Sequence, residues 1–146
     1  MSTRAQVLVI QEELGGWEDK VLLYHHTDGY PEYMLPLLAK ARSMAGGREA
    51  GGAGKVASFL CAADPGVFEP EAGFALHGDI EYLYRLYVAN MAGGSMAENP
   101  RWEVEVLVPG EGFWDNPDLE HMRILTPRQG LSGLTPVVLL PEDENV

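Results

Sequence analysis

Imidazole and carboxylate groups concentrate in two short stretches of this chain. The first is Tyr24-His25-His26-Thr27-Asp28-Gly29-Tyr30-Pro31, and the second is His77-Gly78-Asp79-Ile80-Glu81. The candidate functional cluster is therefore His25, His26, Asp28, Tyr30, His77, Asp79 and Glu81. Side chains of these types suit Zn²⁺ or Mn²⁺ ligation, or a general acid–base pair. Their spacing argues the other way. Successive side chains on a strand point to opposite faces, so His25 and His26 cannot ligate one ion if the strand runs regularly through both. Asp79 and Glu81 share a face by parity, and His77 joins them if that strand reaches it. His26 and Asp28 meet them only if the end of the second strand lies near the start of the third.

Asp28 and Asp79 each neighbour a glycine, where Asp commonly bonds its own backbone and holds a turn. Gly29 is read as holding a backbone angle that other residues resist. No His-Glu-x-x-His or Cys-x-x-Cys spacing occurs, and no Ser-His-Asp or Cys-His signature. No catalytic residue and no metal ligand is assigned on this basis, and no cofactor is expected. The cluster reads as mainly architectural, with Asp28 and Asp79 holding turns that bring His26 and His77 to one end of a sheet. Tyr30 and Tyr33 follow the first turn and are placed to stack on a base or a partner side chain. Tyr33, Phe113 and Trp114 are the candidate partner contacts, because large aromatics anchor interfaces. Covering the open face of a sheet is the competing role for Phe113 and Trp114.

The elements that must position these groups follow from hydrophobic period. Ala5 to Glu13 alternates as a strand, with Val7 and Val9 on one face and Leu8 and Ile10 on the other. Lys20 to His26 alternates likewise, and the short Gly-rich connection between the two requires an antiparallel hairpin. Met34, Leu37, Leu38, Ala41 and Ala45 follow helical spacing. Pro36 would break a helix that began at Pro31, so the helix is expected to start at Pro36. Ala45 to Gly54 is a glycine-rich connection, and Val56, Phe59, Leu60 and Ala63 mark a second helix ended by Asp64-Pro65-Gly66. Val67 to Gly78 is irregular. Asp79 to Asn90 is the clearest strand, paired with Trp102 to Val108 so that Arg85 offsets Glu103 or Glu105. Asn116-Pro117 is a helix start extended by Leu119, Met122 and Arg123, and Leu134 to Leu140 is an extra edge strand. The expected fold is α+β: an antiparallel sheet of about four strands with two helices on one face, plus a C-terminal extension. All of 1–146 forms a single domain on this reading, with its core at about 5–109 and the extension at about 110–146.

The 146 residues carry 10 Lys and Arg against 22 Asp and Glu, a formal net charge of −12. That balance counts against sequence-independent nucleic-acid binding, which needs clustered cations, and against anionic membranes. It permits a basic protein partner. Cys61 is the only cysteine, so no internal disulfide forms, and its apolar setting makes it a small core residue. The N-terminus lacks a signal-peptide apolar run and no stretch is long enough for a transmembrane helix, so the expected compartment is the cytoplasm.

Ser2-Thr3-Arg4-Ala5 ahead of the first strand, the Tyr24 to Pro31 stretch with its Leu-rich helix, and His77-Gly78-Asp79-Ile80-Glu81-Tyr82-Leu83-Tyr84 together resemble a family of small uncharacterised bacteriophage and prophage proteins. The resemblance covers roughly the first two-thirds of the chain and implies a genomic setting, with no catalytic residues to carry over. The expected function is that of a phage- or prophage-encoded accessory protein in the host cytoplasm that binds and modulates a host or defence-system protein. Two other readings stand beside it. One is a metal-dependent hydrolase or nuclease built on the His/Asp cluster. The other is a nucleotide-sequestering pocket using Tyr30, His26 and backbone amides, against which the acidic balance counts.

Overall fold

A computed structural model describes residues 3–12, 18–46, 52–89 and 101–131. The elements run β1 (Ala5–Glu12), β2 (Glu18–His25), α1 (Pro31–Ala45), α2 (Ala53–Ala63), β3 (Phe68–Pro70), β4 (Tyr82–Ala89), β5 (Arg101–Pro109), a 3₁₀ turn at Leu119–His121 and β6 (Met122–Gly130). They form an α+β fold around a six-stranded sheet of order β3-β2-β1-β4-β5-β6.

Two hairpins form as their alternation requires. β1 pairs antiparallel with β2, and β4 antiparallel with β5. The expectation of a purely antiparallel sheet of about four strands is corrected: β1 and β4 are parallel neighbours, Ala5 opposite Tyr82 through Glu12 opposite Ala89. A parallel pair needs its connection to return to the starting end of the first strand; β2 makes that return, ending at His25 opposite Ala5, and residues 26–81 lead from there to β4, which starts at the same end. Two edge strands complete the sheet. β3 is only three residues long and pairs with β2. β6 pairs with β5 through two register irregularities, and Pro127 falls within the first of them, between Thr126 and Gln129. A proline is tolerated in an edge strand at a bulge because no ladder hydrogen bond is asked of it there. The expected helix through Leu119, Met122 and Arg123 is therefore a single 3₁₀ turn that gives way to β6. The strand expected at Leu134 to Leu140 lies outside the described residues.

α1 begins at Pro31 and runs through Pro36, contrary to the later start expected. Pro36 is exposed, so the carbonyl deprived of its partner faces water, while Met34, Leu35, Leu37, Leu38 and Ala41 are buried on the opposite side. A mid-helix proline costs about 3 kcal/mol. Each large apolar side chain buried contributes roughly 1.5–3 kcal/mol, which outweighs that cost. α2 is capped from a distance, its first amide, of Ala53, donating to Asp19 Oδ2 of β2 at 2.8 Å.

Both helices lie on one side of the sheet. Their buried faces share a core with Val7, Val9, Leu23, Tyr84, Leu86 and Val104. A smaller core of Leu22, Tyr24, Ile80, Leu83, Leu107 and Phe113 sits on the far side, covered by residues 71–80 and 110–121. Strand parity thus sends alternate residues of β2 into different cores, and the same alternation separates His25, its last residue, from His26, the next one along. No described helix is long and apolar enough to cross a membrane.

Candidate functional site

His25 closes β2 on the helix side and is fully buried. Its Nε2 lies 2.8 Å from Asp64 Oδ2 at the end of α2, and Tyr33 of α1 donates its hydroxyl to the same oxygen at 2.9 Å. The carboxylate accepts, so Nε2 carries the ring proton. Nδ1 is buried with no partner among the described residues. Phe68 packs edge-on against the ring.

His26 sits on the other side of the strand. Its Nε2 is 2.8 Å from Glu69 Oε1, and its ring meets that of Tyr24 edge-on at 4.7 Å between centroids. His77 packs on the same tyrosine at 4.4 Å and pairs with Glu71 at 2.8 Å. The Tyr24 hydroxyl donates to Asp79 Oδ2 at 2.8 Å, and the Arg4 guanidinium lies 3.6 Å from that oxygen. His26, His77 and Asp79 therefore do meet at one end of the sheet, and Tyr24 is what joins them. His25, Asp28, Tyr30 and Glu81 stand apart. Asp28 holds φ at 53° and accepts from the exposed Tyr30 hydroxyl at 3.1 Å. Glu81 is exposed, and its amide donates to the Arg4 carbonyl.

The chain has four histidines, and each is matched with its own carboxylate, the fourth pair being His121 with Asp118 at 2.7 Å. Among the described residues no group of three or more His, Cys, Asp or Glu is placed to hold a metal ion. The phenols are held protonated. Burial, then the hydrogen bond to Asp79, pushes Tyr24 up to about 12. The hydrogen bond to Asp28 raises Tyr30, and that to Asp64 raises Tyr33. Burial pushes the Cys61 thiol up, which suits a packed residue rather than a nucleophile. Arg85 lies opposite Glu105 and is 2.7 Å from it, as the strand register requires. Tyr87 donates to the same carboxylate, and Arg128 lies over the Tyr87 ring while reaching Glu103 and Glu12. These side chains are occupied with one another.

A groove of about 410 Å³ lies on the far side of the sheet. Leu8, Leu22 and Leu83 from three adjacent strands form its floor. Phe74, Ala75 and Leu76 line one wall, Pro117, Asp118 and Leu119 the other, and Lys20 stands at its edge. The first wall is held by Gln6. This side chain is completely buried, donates through Nε2 to Glu71 Oε2 at 3.2 Å and to the Ala75 carbonyl at 3.3 Å, and accepts at Oε1 from the His77 amide at 3.0 Å.

Large exposed apolar side chains collect on the same side. Phe74 and Leu119 line the groove. Ile124 shares the face of Leu107, its cross-strand partner in the far-side core. Trp114 follows Phe113 and meets its ring edge-on. Only Tyr30 and Tyr33, at the start of α1, complete the exposed group among the described residues. Of the two aromatics at 113 and 114, Phe113 is fully buried and covers the sheet, which removes it as a surface contact, whereas Trp114 is 64% exposed.

Comparison of the chain with protein-family models, characterised proteins and solved structures returned no match. The functional reading therefore rests on the geometry. Sequence reasoning placed Leu8, Leu22 and Leu83 on strands but did not anticipate the groove. The signal that could have found it is the run Phe74-Ala75-Leu76, an apolar triplet inside a segment with no strand or helix period. Gln6 carried a signal too, as a polar residue at a strand position whose face-mates Leu8 and Ile10 are apolar.

Proposed function

We propose that this protein works by binding another protein through the far side of its sheet. The observation that carries the reading is the groove floored by Leu8, Leu22 and Leu83: of the six large exposed apolar side chains among the described residues, Phe74 and Leu119 line it, and Trp114 and Ile124 lie on the same side of the sheet. Apolar groups gathered on one face mark interaction sites, whereas singly scattered ones do not. The polar cluster supports the same reading from the other direction, since its histidines and tyrosines are engaged with carboxylates of this same chain.

The partner we propose is a host or defence-system protein, with this chain as a phage- or prophage-encoded accessory factor. The resemblance of the Tyr24 to Pro31 and His77 to Tyr84 stretches to phage proteins supports that setting, and the net charge of −12 suits a partner with a basic surface. The test compares proteins captured from bacterial lysate by the wild type, by Phe74→Asp with Leu119→Asp, and by Tyr30→Ser with Tyr33→Ser. Capture lost only with the first pair is the expected result. Capture lost only with the second pair would move the interface to the start of α1.

A further inference from the structure

We infer that the groove takes a cationic protein segment that inserts one bulky apolar side chain. This rests on the binding role above and specifies the class of ligand. Two segments supply the walls of the groove. Residues 68–81 contain Glu69, Glu71, Asp79 and Glu81, residues 110–121 contain Glu111, Asp115, Asp118 and Glu120, and neither segment contains Lys or Arg. An apolar floor is thus framed on both sides by chain of a single charge sign. Lys20 is the one cation in the lining, and its ammonium is 3.7 Å from Glu18, so its charge is already offset.

The surrounding carboxylates divide into two kinds. Glu69, Glu71, Asp79 and Asp118 serve His26, His77, Arg4 and His121. Glu81, Glu111, Asp115 and Glu120 have no ion-pair partner among the described residues. The last three lie on the same stretch as Trp114 and Leu119. Carboxylates left open to solvent beside exposed apolar groups favour a ligand that brings both an apolar anchor and positive charge. The size of the groove sets the rest. Small-molecule pockets span roughly 300–1,000 Å³, and about 410 Å³ accommodates one Leu, Phe or Trp side chain with its adjoining backbone. Cationic groups flanking that anchor then meet the carboxylates carried by the two segments beyond the lining itself, where they steer approach and fix the orientation more than they add affinity.

The experiment is a fluorescence-anisotropy titration of the full chain with three labelled peptides. One carries a central Trp between Lys and Arg residues, the second replaces those cations with Glu, and the third replaces the Trp with Ala. The first is expected to bind and to weaken as salt rises, with the other two at least roughly tenfold weaker, a loss of about 1.4 kcal/mol or more. Phe74→Asp and Glu120→Lys with Asp118→Asn should each reduce binding of the first peptide about tenfold, while Tyr33→Ser leaves it unchanged. Equal binding of the acidic peptide, or of the Ala peptide, overturns the ligand class, as does saturation by a neutral apolar dye with no peptide binding. If no basic peptide binds but lysate capture still depends on Phe74 and Leu119, the binding role stands and this inference falls. If the basic peptide binds equally to wild type and Phe74→Asp, the groove itself is wrong. Circular dichroism melts confirm that each variant is folded.

Discussion

The Gln6 side chain and the His77 backbone are joined by a 3.0 Å hydrogen bond across 71 positions of sequence. With the bonds to Glu71 and the Ala75 carbonyl, it fastens the segment that walls the groove to the second residue of β1. Removing the amide leaves a peptide N–H and a carbonyl without partners. Gln6→Leu should therefore destabilise the fold by about 1–3 kcal/mol and speed hydrogen exchange at the His77 amide. Unchanged stability with unchanged exchange would show that the segment is held by other contacts.

Gly29 matters for space rather than for backbone angle. Asp28, one residue earlier, takes the positive φ, and a Cβ built on Gly29 would lie 2.7 Å from Ala5 Cβ and 2.9 Å from the Thr3 carbonyl. The Gly29 amide donates to that carbonyl at 2.7 Å, and its own carbonyl accepts from the buried Tyr84 hydroxyl at 2.7 Å. Gly29→Ala is expected to cost about 1–3 kcal/mol by overpacking. Gly78→Ala, whose Cβ meets nothing within 4 Å, is expected to change little. Chemical denaturation of both variants checks the difference, and equal midpoints would contradict it.

The histidines should differ in cost according to burial. His77 is 43% exposed at its side chain, so the large loss expected of an unpaired buried group does not apply to it, and His77→Ala should cost under about 1 kcal/mol. His26→Ala, likewise a surface pair, belongs with it. His25→Ala removes a fully buried ring packed on Phe68 and should cost about 2–4 kcal/mol. Thermal melts that rank His77 above His25 would refute this order.

Tyr24 predicts an alkaline transition. Its phenol is pushed from 10.0 up to about 12, so the folded state favours the protonated form. The stability this contributes is fully present below pH 10 and is lost as pH rises through about 12. Asp79→Asn removes the nearby negative charge but leaves the burial, and should move the loss partway back toward lower pH. Ultraviolet titration of the phenolate band in both proteins measures it, and identical curves would mean Asp79 contributes nothing.

Local period carried much of the fold. The two hairpins, the opposite orientations of His25 and His26, the pairing of Arg85 with Glu105 and the end of α2 at Asp64 all depend on alternation, helical spacing or turn chemistry within a few residues. The parallel union of β1 with β4 has no such local mark, because a strand pairs either way with the same side-chain pattern. β3 and β6 were hidden by shortness and by Pro70 and Pro127. The cap that Asp19 gives α2 spans 34 positions. The partners of His25, His26 and His77 are Asp64, Glu69 and Glu71, which lie at or beyond the end of α2, in chain whose sequence shows no period. For the same reason the groove has a legible floor and illegible walls.

The most direct test of the account is to follow backbone amide shifts by NMR while the Trp-bearing basic peptide is titrated into the full chain. The account predicts shifts that saturate together at Leu8, Leu22, Phe74 to Leu76 and Asp118 to Glu120, with the amides of α1 unmoved. Saturating shifts centred on Tyr30, Tyr33 and Lys40, with the groove residues unmoved, would contradict it.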